Sequence, residues 1–152
     1  MGTRVPLALK WTCWHEAGHA VVAWSLGREV LRISTVADEV REGGCDIAKP
    51  AQSGPYDEAI IASAGGFAGR HSGLELEHGV TDDDNDVAHA LAYLRERFGD
   101  QWVVAFGHSE AEADRLVTEH KERIARLAEA LESRRTIDSA AEIAKLIAGC
   151  PS

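Results

Sequence analysis

WHEAGHA, residues Trp14 to Ala20, places His15, Glu16 and His19 in the order HExxH within an otherwise apolar run. On a helix, positions i and i+4 share a face, with their Cβ atoms roughly 6 Å apart. Two imidazoles so placed can converge on one zinc ion at about 2.0–2.1 Å. Glu16 leans to the side of that face, within reach of a metal-bound water whose pKa zinc lowers to about 7. The stretch therefore offers two ligands and a general base, and leaves a third ligand to be found elsewhere. The competing reading is an ordinary helix whose histidines are satisfied by neighbours, and HExxH arises by chance in roughly 3 of 100 such chains. Two features favour the metal. Burying two histidines and a glutamate in so apolar a helix is costly without a purpose. Gly18 costs about 1 kcal/mol against alanine, which points to crowding on its face.

The third ligand does not follow at metzincin spacing, because Ala-Val-Val-Ala-Trp-Ser comes after His19. Glu29 lies too close to stand for a downstream-helix glutamate. The remaining candidates are Asp82, Asp83, Asp84 and Asp86, with His78 and His89 behind them.

Working outward, the motif helix is expected over about Leu7 to Leu26, with Gly27 as its stop. Glu29 to Val36 has strand character, and Gly43 to Pro50 reads as a second short strand whose proline suits an edge. Pro55 to Arg70 predicts a buried helix whose Ala62, Ala64, Gly65, Gly66 and Ala68 admit another backbone closely. The acids from Asp82 open a further helix that Gly99 closes. A short piece at Gln101 to Phe106 precedes one long amphipathic helix over about Ser109 to Leu131, striped by Leu116, Ile124, Leu127 and Leu131. TIDSAAEIAKLI predicts a final capped helix. The expectation is a single α+β domain over residues 1–152, predominantly helical, with a small two- to three-stranded sheet.

Composition narrows the partners. A net charge of -9, with basic residues scattered among acids, argues against nucleic acid. The three cysteines are widely spread with no CxxC pair, as in a reduced, cytoplasmic chain. The N-terminal apolar run is too short for a signal peptide or a membrane segment. Cys13 and the four tryptophans read as core or interface anchors, whereas His71, His78, His108 and His120 read as solvated.

HEAGHAVV resembles the peptidase domain of the FtsH-type, membrane-anchored AAA+ proteases. LRISTV is similar to that family's first strand, and GGCDIAKP to its second, which ends in proline. ASAGGFAGR resembles its glycine-rich helix, TDDDNDVAHALAYL its Asn-Asp segment, and SRRTIDSAAEI its terminal stretch. The likeness runs in order along nearly the whole chain. It implies a zincin-like metallopeptidase fold with Zn2+ held by His15, His19 and Asp86, and with Glu16 as the catalytic base. It also implies an extended peptide substrate added beside the second strand, at Gly44, Cys45, Asp46, Ile47 and Ala48. The chain departs from the family where Asp82 to Asp84 replace a glycine, and where GRHSGLELEHG follows the glycine-rich helix. The 152 residues hold no Walker A sequence. The expected activity is thus zinc endopeptidase cleavage of flexible or unfolded peptides, with a homo-oligomer or a separate ATPase as the implied partner. The alternative is a catalytically inactive, zinc-containing relative that binds peptides.

Overall fold

The computed structural model describes residues 6–36, 44–49, 54–74 and 81–149, with the side chains of 81–84 left aside. The chain is a predominantly helical α+β fold with one small antiparallel sheet. The motif stretch lies in α1 (Leu7–Ser25), which is apolar on almost every face and is buried without interruption from His15 to Ala23. A helix of that kind is a core element, enclosed from several sides. Here α2 (Asp57–His71) covers one side, and α5 (Lys121–Arg134) and the sheet cover others. Helix α1 ends where Leu26 donates back to Val22 and Ala23, and Gly27 follows with φ +82°.

The sheet has the order β2-β1-β3, with β1 (Val30–Ser34) between β2 (Gly44–Ile47) and β3 (Thr136–Ile137). Leu31 bulges out of the β1–β2 ladder, so strict alternation fails: Val30, Ile33 and Ser34 are buried while Leu31 and Arg32 are exposed. β1 is shorter than the expected Glu29 to Val36, and of the second expected strand Gly43 and Pro50 lie outside the described residues. β3 is held by Arg135, whose φ of +66° ends α5 and aims its carbonyl at the Thr35 amide, 2.8 Å away.

Glycines let α1 and α2 approach closely. A Cβ on Gly18 would sit 3.0 Å from the Ala64 carbonyl oxygen, and one on Gly69 would lie 2.6 Å from Trp11 Cζ2. The crowding expected at Gly18 and along the small-residue helix is therefore the α1–α2 contact. Helix α3 (Thr81–Phe98) packs on the other side of α2, where Ala59, Ala62, Ala90, Leu94 and Ala105 form a smaller cluster.

The single long helix expected over Ser109 to Leu131 is two helices. After a 3₁₀ turn at Gly99–Gln101, α4 (Trp102–Glu119) absorbs the expected short piece, and α5 begins at Lys121. The break falls at His120, with φ -105° and ψ 21°, whose ring stands edge-on to Trp24 at 6.1 Å. Residues 118–123 carry no apolar side chain, but Val117 and Ile124 stand seven residues apart and keep the helical phase from α4 into α5, which conceals the break. His71 also departs from the solvated expectation, since its Nε2 lies 2.8 Å from Asp114 Oδ1. The final helix, α6 (Ala140–Ala148), is capped as expected: Ser139 Oγ accepts from the Glu142 amide, and Gly149 ends it with φ +69°. Among the described residues, no helix is long and apolar enough to cross a membrane.

Candidate metal centre

His15 and His19 project from one face of α1 toward α2, and Asp86 reaches them from the second turn of α3. His15 Nε2 lies 2.8 Å from Asp86 Oδ2, and His19 Nε2 lies 2.9 Å from the same oxygen. The two Nε2 atoms are 3.1 Å apart. Three donor atoms from three side chains thus form a nearly equilateral triangle. A tetrahedral ion with bonds of about 2.0–2.1 Å sets ligand–ligand edges near 3.3 Å.

The tautomer of His19 makes the fit specific. Its Nδ1 lies 2.7 Å from the Ile61 carbonyl oxygen, which can only accept, so Nδ1 carries the proton. In the neutral ring, Nε2 then offers a lone pair, and that lone pair faces a carboxylate oxygen and a second imidazole nitrogen. Two acceptors at 2.9 Å repel unless a cation lies between them or the ring takes up a proton. Burial opposes the charged His19 ring, but the hydrogen bond and charge of Asp86 override it and raise its pKa to about 9. Burial likewise disfavours the Asp86 carboxylate, yet His15 and His19 hold it well below the usual carboxylate range. Both shifts favour positive charge on the His19 ring beside the Asp86 carboxylate.

Close packing sets both rings. Gly65 of α2 lies directly beneath them, and a Cβ there would come within 2.7 Å of His19 Cε1 and 2.8 Å of His15 Cε1. Trp11 stacks on His15 with ring centroids 4.8 Å apart. His15 Nδ1 is buried and has no hydrogen-bond partner among the described residues, so stacking rather than a hydrogen bond orients that ring. A ligating histidine usually donates its second nitrogen to an acceptor, and here only His19 does so.

The triad forms one wall of a cavity of about 280 Å³. Glu16, 3% exposed, lines the same cavity beside the histidines. Facing them are Gly44, Cys45 and Ile47 of the edge strand β2, with Ile61 and Ala62 of α2 as an apolar floor. Of the five residues expected to bind peptide, these three line the cavity and two do not. Asp46 alternates to the other face of β2. Ala48 lies beyond the strand with its backbone already committed, its amide to Glu29 O at 2.9 Å and its carbonyl to Arg28 Nε at 2.9 Å. Asn85, Glu58 and His89 complete the lining. Glu58 is paired with the buried Arg28 at 2.8 Å, a tie that nothing in the residue pattern signals. His78 lies outside the described residues, as do the side chains of Asp82 to Asp84.

No family model matches the chain, and no curated protein matches it.

Proposed function

We propose that this chain is a zinc metallopeptidase domain of the kind that the FtsH-type resemblance implies. The observation that carries the reading is the convergence of His15 Nε2, His19 Nε2 and Asp86 Oδ2 within 3.1 Å of one another, with Glu16 on the same cavity wall. His15, His19 and Asp86 would hold the ion, at the edge of the cavity they line. Zinc bound there supplies a Lewis acid that polarises a carbonyl and lowers the pKa of a water to about 7.

The chain's own groups perform the remaining work. Glu16 takes a proton from the attacking water and returns it to the amine that leaves. The Ile61 carbonyl fixes the tautomer of His19, so that ring presents its lone pair to the ion rather than a proton. The edge strand β2 has a ladder partner on one side only among the described residues, which suits an extended peptide adding as a further strand. Cys45 and Ile47 are the side chains placed to touch it. Such a site takes flexible or unfolded chain, because a strand must be drawn out before it pairs.

The test is cleavage of an unfolded, quenched-fluorescent protein substrate by the zinc-loaded chain, compared with Glu16→Gln. Loss of at least about 100-fold in kcat, with zinc content unchanged, is expected from removing a general base. Equal rates in the two proteins would remove the peptidase assignment. Zinc binding and peptide binding without cleavage in the wild type would favour the peptide-binding relative instead.

A further inference from the structure

Chemistry at this centre builds negative charge on the substrate's carbonyl oxygen, which the ion would polarise and which a hydrogen-bond donor of the chain would stabilise further. Attack of a water oxygen on the peptide carbon forms a C–O bond and drives the π pair onto the carbonyl oxygen, while the water proton passes to Glu16. Collapse breaks the C–N bond, and the amine departs with that proton. The carbonyl oxygen is negative between these events, in a cavity already holding the carboxylates of Glu16, Asp86 and Glu58. Hydrogen-bond donors aimed at such an oxygen are among the largest contributions to catalysis of acyl transfer.

The cavity lining offers few donors. His19 Nδ1 is spent on Ile61, the His15 and His19 Nε2 atoms face Asp86, and Arg28 is occupied by Glu58 and Ala48. The solvent-exposed side-chain N–H donors on the wall are Asn85 and His89, beside the weaker thiol donor of Cys45, while His15 Nδ1 is buried. Neither Asn85 nor His89 makes a hydrogen bond or ion pair within the described residues. They stand at i and i+4 on α3, one helical turn apart on the face that carries Asp86 to the centre. That face lines the same cavity as Gly44, Cys45 and Ile47 of β2.

We propose that His89, with Asn85 one turn before it, donates to the scissile carbonyl oxygen of the bound peptide and stabilises its developing negative charge. This inference rests on the peptidase reading above. His89 is thus a catalytic residue on the ligand helix, in the cavity lined by the strand that aligns the substrate. Both residues are polar and solvent-facing, so replacing them leaves the core intact.

The experiment compares wild type, His89→Ala, His89→Gln and Asn85→Ala in zinc-loaded protein. It measures kcat and KM on an unfolded peptide, zinc per chain, and the affinity of a phosphinic peptide that mimics the tetrahedral carbon. For His89→Ala, kcat falls roughly 100-fold and the phosphinic peptide weakens in parallel, while KM changes less than about threefold and zinc stays at one per chain. His89→Gln, which keeps an N–H donor, recovers about tenfold of the loss, and Asn85→Ala shows a smaller loss of the same pattern. An unchanged kcat in an active background, an unchanged phosphinic affinity, or loss of zinc from His89→Ala would each overturn the inference and leave the peptidase reading standing. A wild type that neither cleaves nor binds the phosphinic peptide would overturn both.

Discussion

Gly65→Ala adds one methyl group beneath the metal centre, and the structure sets what that methyl meets. Its carbon would stand 2.7 Å from His19 Cε1 and 2.8 Å from His15 Cε1, against a comfortable carbon–carbon contact of about 3.5–4.0 Å. Both rings must retreat by roughly 1 Å, or α1 must lift from α2. The second route is opposed by α5 and the sheet, which enclose α1 on its other sides. Ligand placement tolerates about 0.5 Å, so zinc affinity should fall by about 10- to 100-fold. The effect on folding is smaller, because alanine gains about 1 kcal/mol of helix propensity against an overpacking cost of about 1–3 kcal/mol. The assay is zinc titration against a competing chelator, paired with thermal melts of the metal-free proteins. Gly107→Ala is the control: it lies within α4 with nothing in 4 Å of its Cβ position, and should leave zinc affinity unchanged while stabilising slightly. If Gly65→Ala bound zinc as tightly as wild type, the rings would not rest on α2 as described.

Proton and metal should compete for the same cluster. Because His19 titrates near 9 in the metal-free fold, apparent zinc affinity should rise about tenfold per pH unit from 7 toward 9, measured with the same chelator. The stability of the metal-free protein should follow the same groups. His19 is raised from 6.5 in the unfolded chain, so its contribution is complete below pH 6.5 and is lost as pH rises through about 9. Asp86 is lowered from 3.8, so its contribution is present above that pH and is lost on acidification. Urea midpoints of the metal-free protein should therefore be highest between about pH 4 and 6.5 and fall toward pH 9; a midpoint that rises over that range would contradict the pair. Burial also pushes the Cys13 thiol up to about 12, so Cys13 should resist iodoacetamide at pH 8 and label only on unfolding, as peptide mass spectrometry would report.

Residue pattern reached the parts of this fold that rest on local chemistry. HExxH spacing placed His15 and His19 on one face, and the run of small residues in α2 announced a close neighbour, which is α1 itself. Asp86 was one of several acids by spacing, and only the resemblance singled it out; the fold brings its carboxylate between the two rings. Other features depend on contacts between distant segments and left no local mark. The break at His120 preserves helical phase, with Val117 and Ile124 seven residues apart, so periodicity alone reads through it. The bulge at Leu31 shows only in the β1–β2 pairing, and Arg28 ties Glu58 of α2 to Ala48 beyond β2. Ala48 was named as peptide-binding only through the resemblance, and its amide and carbonyl bond Glu29 and Arg28, a tie that no local pattern signals. His89 was named among the candidate ligands behind the acids, and the fold places it on the cavity wall beside Asp86 and outside the metal cluster.

His15, His19 and Asp86, from two helices, are proposed to hold one zinc ion. Metal content by inductively coupled plasma mass spectrometry, on protein purified without chelator and exchanged into metal-free buffer, tests this. One zinc per chain is expected in the wild type and close to none in Asp86→Ala, with both proteins folded by circular dichroism. Wild-type protein that retains no zinc after loading, or Asp86→Ala that retains a full equivalent, would contradict it.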